Sequence, residues 1–78
     1  MGRKALIVTK NIASVVLQQN EYEITITISY MGKEESHQIG CSSREKIPDD
    51  KIKYYKLVYE RIKLAIFNDD KFVEIEVE

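Results

Sequence analysis

A chain of 78 residues is long enough for one small domain and too short for two. Hydrophobic residues make up 44% of it and charged residues 32%, a balance that indicates a folded globular protein rather than a disordered one. The formal net charge of −1 argues against a dedicated nucleic-acid binder, which usually carries a clear basic excess. We therefore expect a single domain over residues 1–78.

A domain this small often needs a disulfide, a metal or a partner chain for stability. Cys41 is the only cysteine and His37 the only histidine, so no intramolecular disulfide can form, and neither a metal nor a cofactor is expected. Oligomerisation is then the favoured source of extra stability, with a well-packed monomer as the alternative.

The compartment is predicted from the thiol and from the apolar runs. A single free thiol favours a reducing, cytoplasmic setting. Ala5–Val8 is too short for the apolar core of a secretory signal. No apolar run approaches the roughly 20 residues of a membrane span, so no membrane partner is expected.

The first part of the chain predicts strands. Ala5–Thr9 and Ile12–Gln19 are rich in Val, Ile and Leu, and they form either two short strands or one long strand broken by a bulge. Apolar residues occupy both alternating positions here, a pattern typical of a strand that is buried on both faces.

The middle of the chain predicts a hairpin. Isoleucines and tyrosines alternate with polar residues over Glu21–Tyr30, which indicates a strand with one buried face. Met31-Gly32-Lys33 is typical of a turn, and Glu34–Cys41 follows as a return strand with few apolar residues, consistent with a sheet edge.

The last third predicts a helix and a final strand. Pro48 and two aspartates begin a helix over Asp49–Phe67, whose apolar residues gather on one side and whose lysines gather opposite. Phe72–Glu78 alternates apolar and acidic residues. The fold class is therefore α+β: a mostly antiparallel sheet of four or five strands, in the order β-β-β(-β)-α-β, with one amphipathic helix packed on one face.

A second apolar strip is predicted on the helix. Leu57 and Leu64 lie seven residues apart and away from the core-facing side, with Tyr54 and Arg61 beside them. Such a strip is typical of an association surface, and we predict a partner or oligomer interface there. The alternative is a helix sunk so deeply that the strip belongs to the core.

The segment after the return strand is a candidate anion site. Ser42, Ser43, Arg44 and Lys46 offer hydroxyl, guanidinium and ammonium donors for a nucleotide or another small anionic ligand. The segment lacks the glycine-rich pattern of a phosphate-binding loop, so a solvated connection is the alternative.

Two charged features suggest contacts with or mimicry of nucleic acid. Glu74, Glu76 and Glu78 form an acidic ladder spaced about 6.7 Å apart, which suits either a DNA mimic or a solvated edge strand. The helix lysines could touch nucleic acid, but Glu60 lies among them, and mixed charge of this kind favours a solvated face.

Catalysis is not predicted. On a strand, His37 and Cys41 would lie about 13 Å apart, too far for a nucleophile and its base. The leading hypothesis is a small non-catalytic protein-interaction module that self-associates and regulates or inhibits a partner protein, a class that includes phage-encoded proteins. The alternative is a small-molecule or nucleotide-binding oligomer with its site between subunits.

Overall fold

The computed structural model describes residues 3–77 and confirms the α+β class. Within these residues there are five strands and one helix, in the predicted order. The elements are β1 (Arg3–Val8), β2 (Ile12–Gln19), β3 (Glu23–Tyr30), β4 (Ser36–Ser42), α1 (Asp49–Phe67) and β5 (Phe72–Val77). The helix bounds agree with those expected from the sequence, and each strand begins or ends within two residues of its predicted limits.

The strands divide between two antiparallel sheets. One sheet pairs β1 with β5, and the other has the order β2-β3-β4, so β4 lies at an edge as its composition predicts. The division occurs where the chain turns between β1 and β2. There the Ile12 N–H donates to the Thr9 carbonyl at 3.3 Å, and Asn11 has a φ of 69°. The N-terminal apolar region is thus two strands, with a register irregularity near the start of β2.

The core is built mainly from isoleucine. Side chains with less than 2% exposure come from both sheets, the helix and the loop before it: Ile24, Ile26, Ile28, Ile47, Ile62 and Ile75. The buried face of α1, formed by Tyr55, Val58, Ile62 and Ala65, packs against β2, β3 and β5. One helix therefore covers strands from both sheets.

The loop between β4 and α1 is tied down by backbone hydrogen bonds. The Ser43 N–H donates to the Tyr22 carbonyl and the Ile47 N–H to the Glu21 carbonyl, both at 2.8 Å. These bonds seat the loop on the turn between β2 and β3, and they position Ile47 in the core. Pro48 then precedes the helix, and Asp49 and Asp50 place negative charge in its first turn, where the helix dipole favours it.

At Gly40 the backbones of β3 and β4 approach each other closely, so a side chain at this position should destabilise the fold. Gly40 pairs with Thr25, and a Cβ at position 40 would lie 2.8 Å from the Thr25 Cα and closer still to the Ile24 carbonyl oxygen. Gly40→Ala should therefore lower the free energy of unfolding by about 1–3 kcal/mol, because the two strands must separate. Urea denaturation measures the loss, and Gln38→Ala on the same strand should change stability by less than about 0.5 kcal/mol. Equal stability of both variants would contradict this close approach.

The helix ends with a residue in the left-handed conformation. The Asp69 N–H donates to the Ile66 carbonyl at 3.1 Å and the Asp70 N–H to the Ala65 carbonyl at 2.9 Å, the bonding pattern of a Schellman cap. Asp69 has a φ of 59°, in the position that glycine usually occupies. The helix thus ends on a strained residue whose negative charge opposes the helix dipole.

The second prediction concerns this cap. Asp69→Gly should raise the free energy of unfolding by about 1 kcal/mol, since it relieves the left-handed strain and removes an unfavourable charge. Asp69→Asn removes the charge while keeping a side chain, so it should recover only part of that gain. Asp70→Gly is the matched control at an ordinary φ and should lower stability by about 0.4–1 kcal/mol. A loss of stability in Asp69→Gly would contradict the cap geometry.

Candidate interaction surfaces

The helix strip predicted from the sequence lies on the surface. Leu57 is 65% exposed and Leu64 is 59% exposed, on the side of α1 away from its buried face. Arg61 is exposed beside them, whereas Tyr54 is half-buried and contacts the Tyr55 ring edge-on, with the centroids 5.1 Å apart. We call Tyr54, Leu57, Arg61 and Leu64 the helix strip. Of its four residues, the two leucines are the exposed apolar ones.

Basic side chains flank the helix strip. Lys53, Lys56 and Lys63 are all exposed, and Glu60 is the acidic residue among them. Lys63 lies 3.7 Å from the Glu60 carboxylate, and its Nζ lies 5.1 Å from the centre of the Tyr59 ring. Asp49 and Asp50 are also exposed in the first turn of this helix, so the outward side of α1 combines apolar contact area with charges of both signs.

A second apolar surface lies on the small sheet. In β1, Ala5 and Ile7 face the core, while Leu6 and Val8 remain 61% and 52% exposed. Phe72 pairs with Val8 in the register of β5 and is 56% exposed. We call Leu6, Val8 and Phe72 the sheet patch. The expectation that the N-terminal strands are buried on both faces is wrong for β1 and also for β2, where Ala13 and Val16 are exposed, because α1 covers only one side of each sheet.

The acidic ladder shares the outer face of this sheet. Glu74 and Glu76 are exposed on β5, and Glu74 lies 3.4 Å from the Lys4 ammonium on β1. Glu78, the third predicted member, lies outside the described residues. Among the described side chains, two glutamates and one lysine therefore share this face with the sheet patch, and the exposed Lys71 directly precedes Phe72.

The candidate anion loop uses backbone N–H groups and one serine hydroxyl oxygen in hydrogen bonds of its own. The Ser43 hydroxyl accepts a hydrogen bond from the Glu45 N–H at 3.2 Å, and the Ser43 N–H is bonded to Tyr22. Ser42 ends β4, and Arg44 and Lys46 are exposed. Anion binding here stays a prediction.

His37 and Cys41 lie on one strand, as expected. They face Ile28 and Ile24 respectively in the register of β4 with β3, four residues apart on an extended backbone. Among residues 3–77, no group of three or more His, Cys, Asp or Glu side chains could hold a metal ion. Within the same residues, no helix is long and apolar enough to cross a membrane.

Two shallow clefts adjoin the turn between β1 and β2. The larger, of about 610 Å³, lies between this turn and the end of α1, and the smaller, of about 520 Å³, lies between the turn and the β3–β4 connection. Val8, Lys10 and Asn11 line both clefts. Charges of both signs line each cleft, so neither presents a site selective for one class of ion.

Comparisons of the chain with protein-family models, with curated proteins and with solved structures find no match. Function is therefore inferred from the surfaces described above.

Truncation of a side chain to alanine should destabilise the fold on the buried side of the helix and have little effect on the exposed side. Ile62 has no exposed surface and Leu64 is largely exposed, although both lie on the same helix two residues apart. Ile62→Ala should lower the free energy of unfolding by about 2–5 kcal/mol, whereas Leu64→Ala should change it by less than about 0.5 kcal/mol in dilute solution. Urea denaturation at low protein concentration measures both. A large loss for Leu64→Ala would mean that the strip belongs to the core.

Proposed function

We propose that this protein is a non-catalytic interaction module that self-associates through the helix strip and acts by binding another protein. The observation that carries the proposal is the exposure of Leu57 and Leu64 on a helix whose opposite face already fills the core. The core packing uses Tyr55, Val58, Ile62 and Ala65, so the two leucines contribute nothing to the buried face. Contact with another molecule is the role that remains for them.

The energetics of burial support association. Complete burial of a leucine side chain contributes about 1.5–3 kcal/mol. Two leucines from each copy therefore supply a substantial part of the free energy of a weak complex, although association also costs rotational and translational freedom. The lysines around the strip stay solvated at its rim, where charges affect the choice of partner more than the affinity.

Regulation or inhibition of a partner protein in the cytoplasm is part of this proposal. It is supported by the combination of an exposed apolar strip with charged margins, the usual composition of a protein-binding surface. Cys41 carries a free thiol, which suits a reducing compartment.

Sedimentation equilibrium over a wide concentration range tests the self-association. The purified chain should show an average mass that rises above 9.1 kDa as concentration increases. Leu57→Asp and Leu64→Asp should each weaken association at least tenfold, or about 1.4 kcal/mol, because a carboxylate would be buried in the contact. A chain that stays monomeric at about 1 mM, which corresponds to less than about 4 kcal/mol of binding, would contradict the proposal.

Met31→Asp provides the matched control. Met31 is 61% exposed, close to the value for Leu57, but it lies in the turn after β3 rather than on the helix. This variant should associate as the unchanged chain does. Circular dichroism and urea unfolding of all three variants establish that the aspartates leave the fold intact.

A further inference from the structure

We infer that the free edge of β4 pairs with β4 of a second copy, so that the β2-β3-β4 sheets of two copies join into one continuous sheet about a two-fold axis. The contact is separate from the helix strip, and the inference does not rest on the proposed function. Three features of β4 carry it: its unpaired backbone groups, its lack of charge and the symmetry of its sequence.

The backbone groups on one side of β4 point away from β3, the strand with which β4 pairs in the described part of the chain. Along an antiparallel pair, residues that bond to the neighbouring strand alternate with residues whose N–H and C=O groups point away from it. The Ser43 N–H bonds to the Tyr22 carbonyl, which continues the register of β4 with β3 and sets the phase of this alternation. The residues whose backbone groups point to the free edge are therefore Ser36, Gln38, Gly40 and Ser42.

β4 is also the edge that lacks the usual protection against strand pairing. Edge strands are commonly protected by charged side chains, by bulges or by a covering helix. β1 begins with Arg3 and Lys4. β5 carries Glu74 and Glu76. β2 has a register irregularity near its start, and α1 packs against it. In contrast, Ser36–Ser42 contains no Asp, Glu, Lys or Arg, and the main contacts of α1 are with other strands.

The sequence of β4, Ser-His-Gln-Ile-Gly-Cys-Ser, has one register in which every outward backbone group finds a partner in a second copy. Antiparallel pairing about Ile39 places Ser36 opposite Ser42 and Gln38 opposite Gly40. Each of these pairs exchanges two hydrogen bonds, and the same pairs recur on the other side of the axis. A two-fold axis at Ile39 therefore uses the whole strand, and the contact is complete with two copies.

The missing side chain at Gly40 leaves room for the second copy. A shallow cleft of about 350 Å³ lies along β4 here, and the residues that line it are Glu23, Thr25, Gln38, Gly40, Cys41 and Ser42. In the register about Ile39, Gln38 of the second copy lies opposite Gly40, and residues opposite each other share one face of a sheet. The Gln38 side chain of the second copy can therefore extend over Gly40 into this cleft.

The charges near the two ends of β4 do not oppose this pairing. Residues 33–35 precede the strand and residues 44–46 follow it, and each segment contains acidic and basic side chains. Lys10 lies near the first segment and Glu23 near the second. Antiparallel pairing places the first segment of one copy beside the second segment of the other, so no block of like charge is brought together.

Disulfide trapping tests this register. His37 lies opposite Cys41 of the second copy, in a pair without ladder hydrogen bonds whose Cα atoms are about 4.5 Å apart, a separation that a disulfide can span. His37→Cys should therefore give a covalent dimer when oxidised glutathione is added, joined by links between positions 37 and 41. Within one chain these positions lie about 13 Å apart, so the link cannot form inside a monomer. Mass spectrometry of the digested dimer identifies the linked positions.

Ser36→Cys provides the matched control. Ser36 is exposed and directly precedes His37, but its side chain lies on the opposite face of the sheet from Cys41. In the unchanged chain, the two Cys41 thiols of the dimer would lie about 13 Å apart along the strands. At equal concentration, His37→Cys should form at least about tenfold more dimer than Ser36→Cys or the unchanged chain, since only chance collision links these controls. Circular dichroism establishes that both variants keep the fold.

Every other outcome overturns the inference. Equal yields from His37→Cys and Ser36→Cys would do so, and they would leave the β4 edge open to an extended strand of a different protein. A dimer linked mainly through two copies of position 37 would do so as well, because that link requires another register.

The same assay separates this contact from the proposed function. Leu57→Asp and Leu64→Asp, which test the helix strip, should leave the yield of the link between positions 37 and 41 unchanged. A link that disappears with them would depend on the helix strip and would overturn the inference. Association through the helix strip can fail in sedimentation without changing the trapping result, so the two failures are distinguishable.

Discussion

The buried face of the helix is the contact on which the fold depends. The two sheets do not share a strand ladder in the described part of the chain, and α1 packs against strands from both. The buried face of α1, formed by Tyr55, Val58, Ile62 and Ala65, therefore joins two sheets that share no strand pairing among the described residues. A two-stranded sheet has little stability of its own in water, so β1 and β5 depend on this packing.

This arrangement leaves each layer covered on one side. The helix has its inner face in the core and its leucines outside. The small sheet has Ile7 and Ile75 inside, with Leu6 and Val8 on its outer side. The elements of the described residues form two layers, so strongly apolar residues remain on the outer side of each layer.

The two non-glycine residues with positive φ among the described residues lie in turns that are close to each other. Asn11 and Asp69 have positive φ, and both line the larger cleft beside the start of β5. Thr9 helps to hold this region together, since its hydroxyl donates to the Asp70 carbonyl and its N–H donates to the Lys71 carbonyl at 3.0 Å. Two hydrogen bonds from one buried residue thus fix where the chain enters the small sheet.

The sequence by itself determined the local structure of this protein. The alternation of isoleucine with polar residues specifies β3, and the helical repeat with Pro48 and two aspartates at its start specifies α1 to the residue. The same repeat placed Leu57 and Leu64 away from the core-facing side. Periodicity is sufficient for these predictions, because it reports which side chains share a face.

Only the tertiary structure decided which faces are covered. The division of the strands between two sheets, the exposure of Leu6 and Val8, and the position of Phe72 opposite Val8 all depend on contacts between distant parts of the chain. Both alternating positions of β1 are apolar, so the sequence indicated cover on both faces. It could not show that α1 would cover only the inner side, because that choice follows from how α1 spans the two sheets.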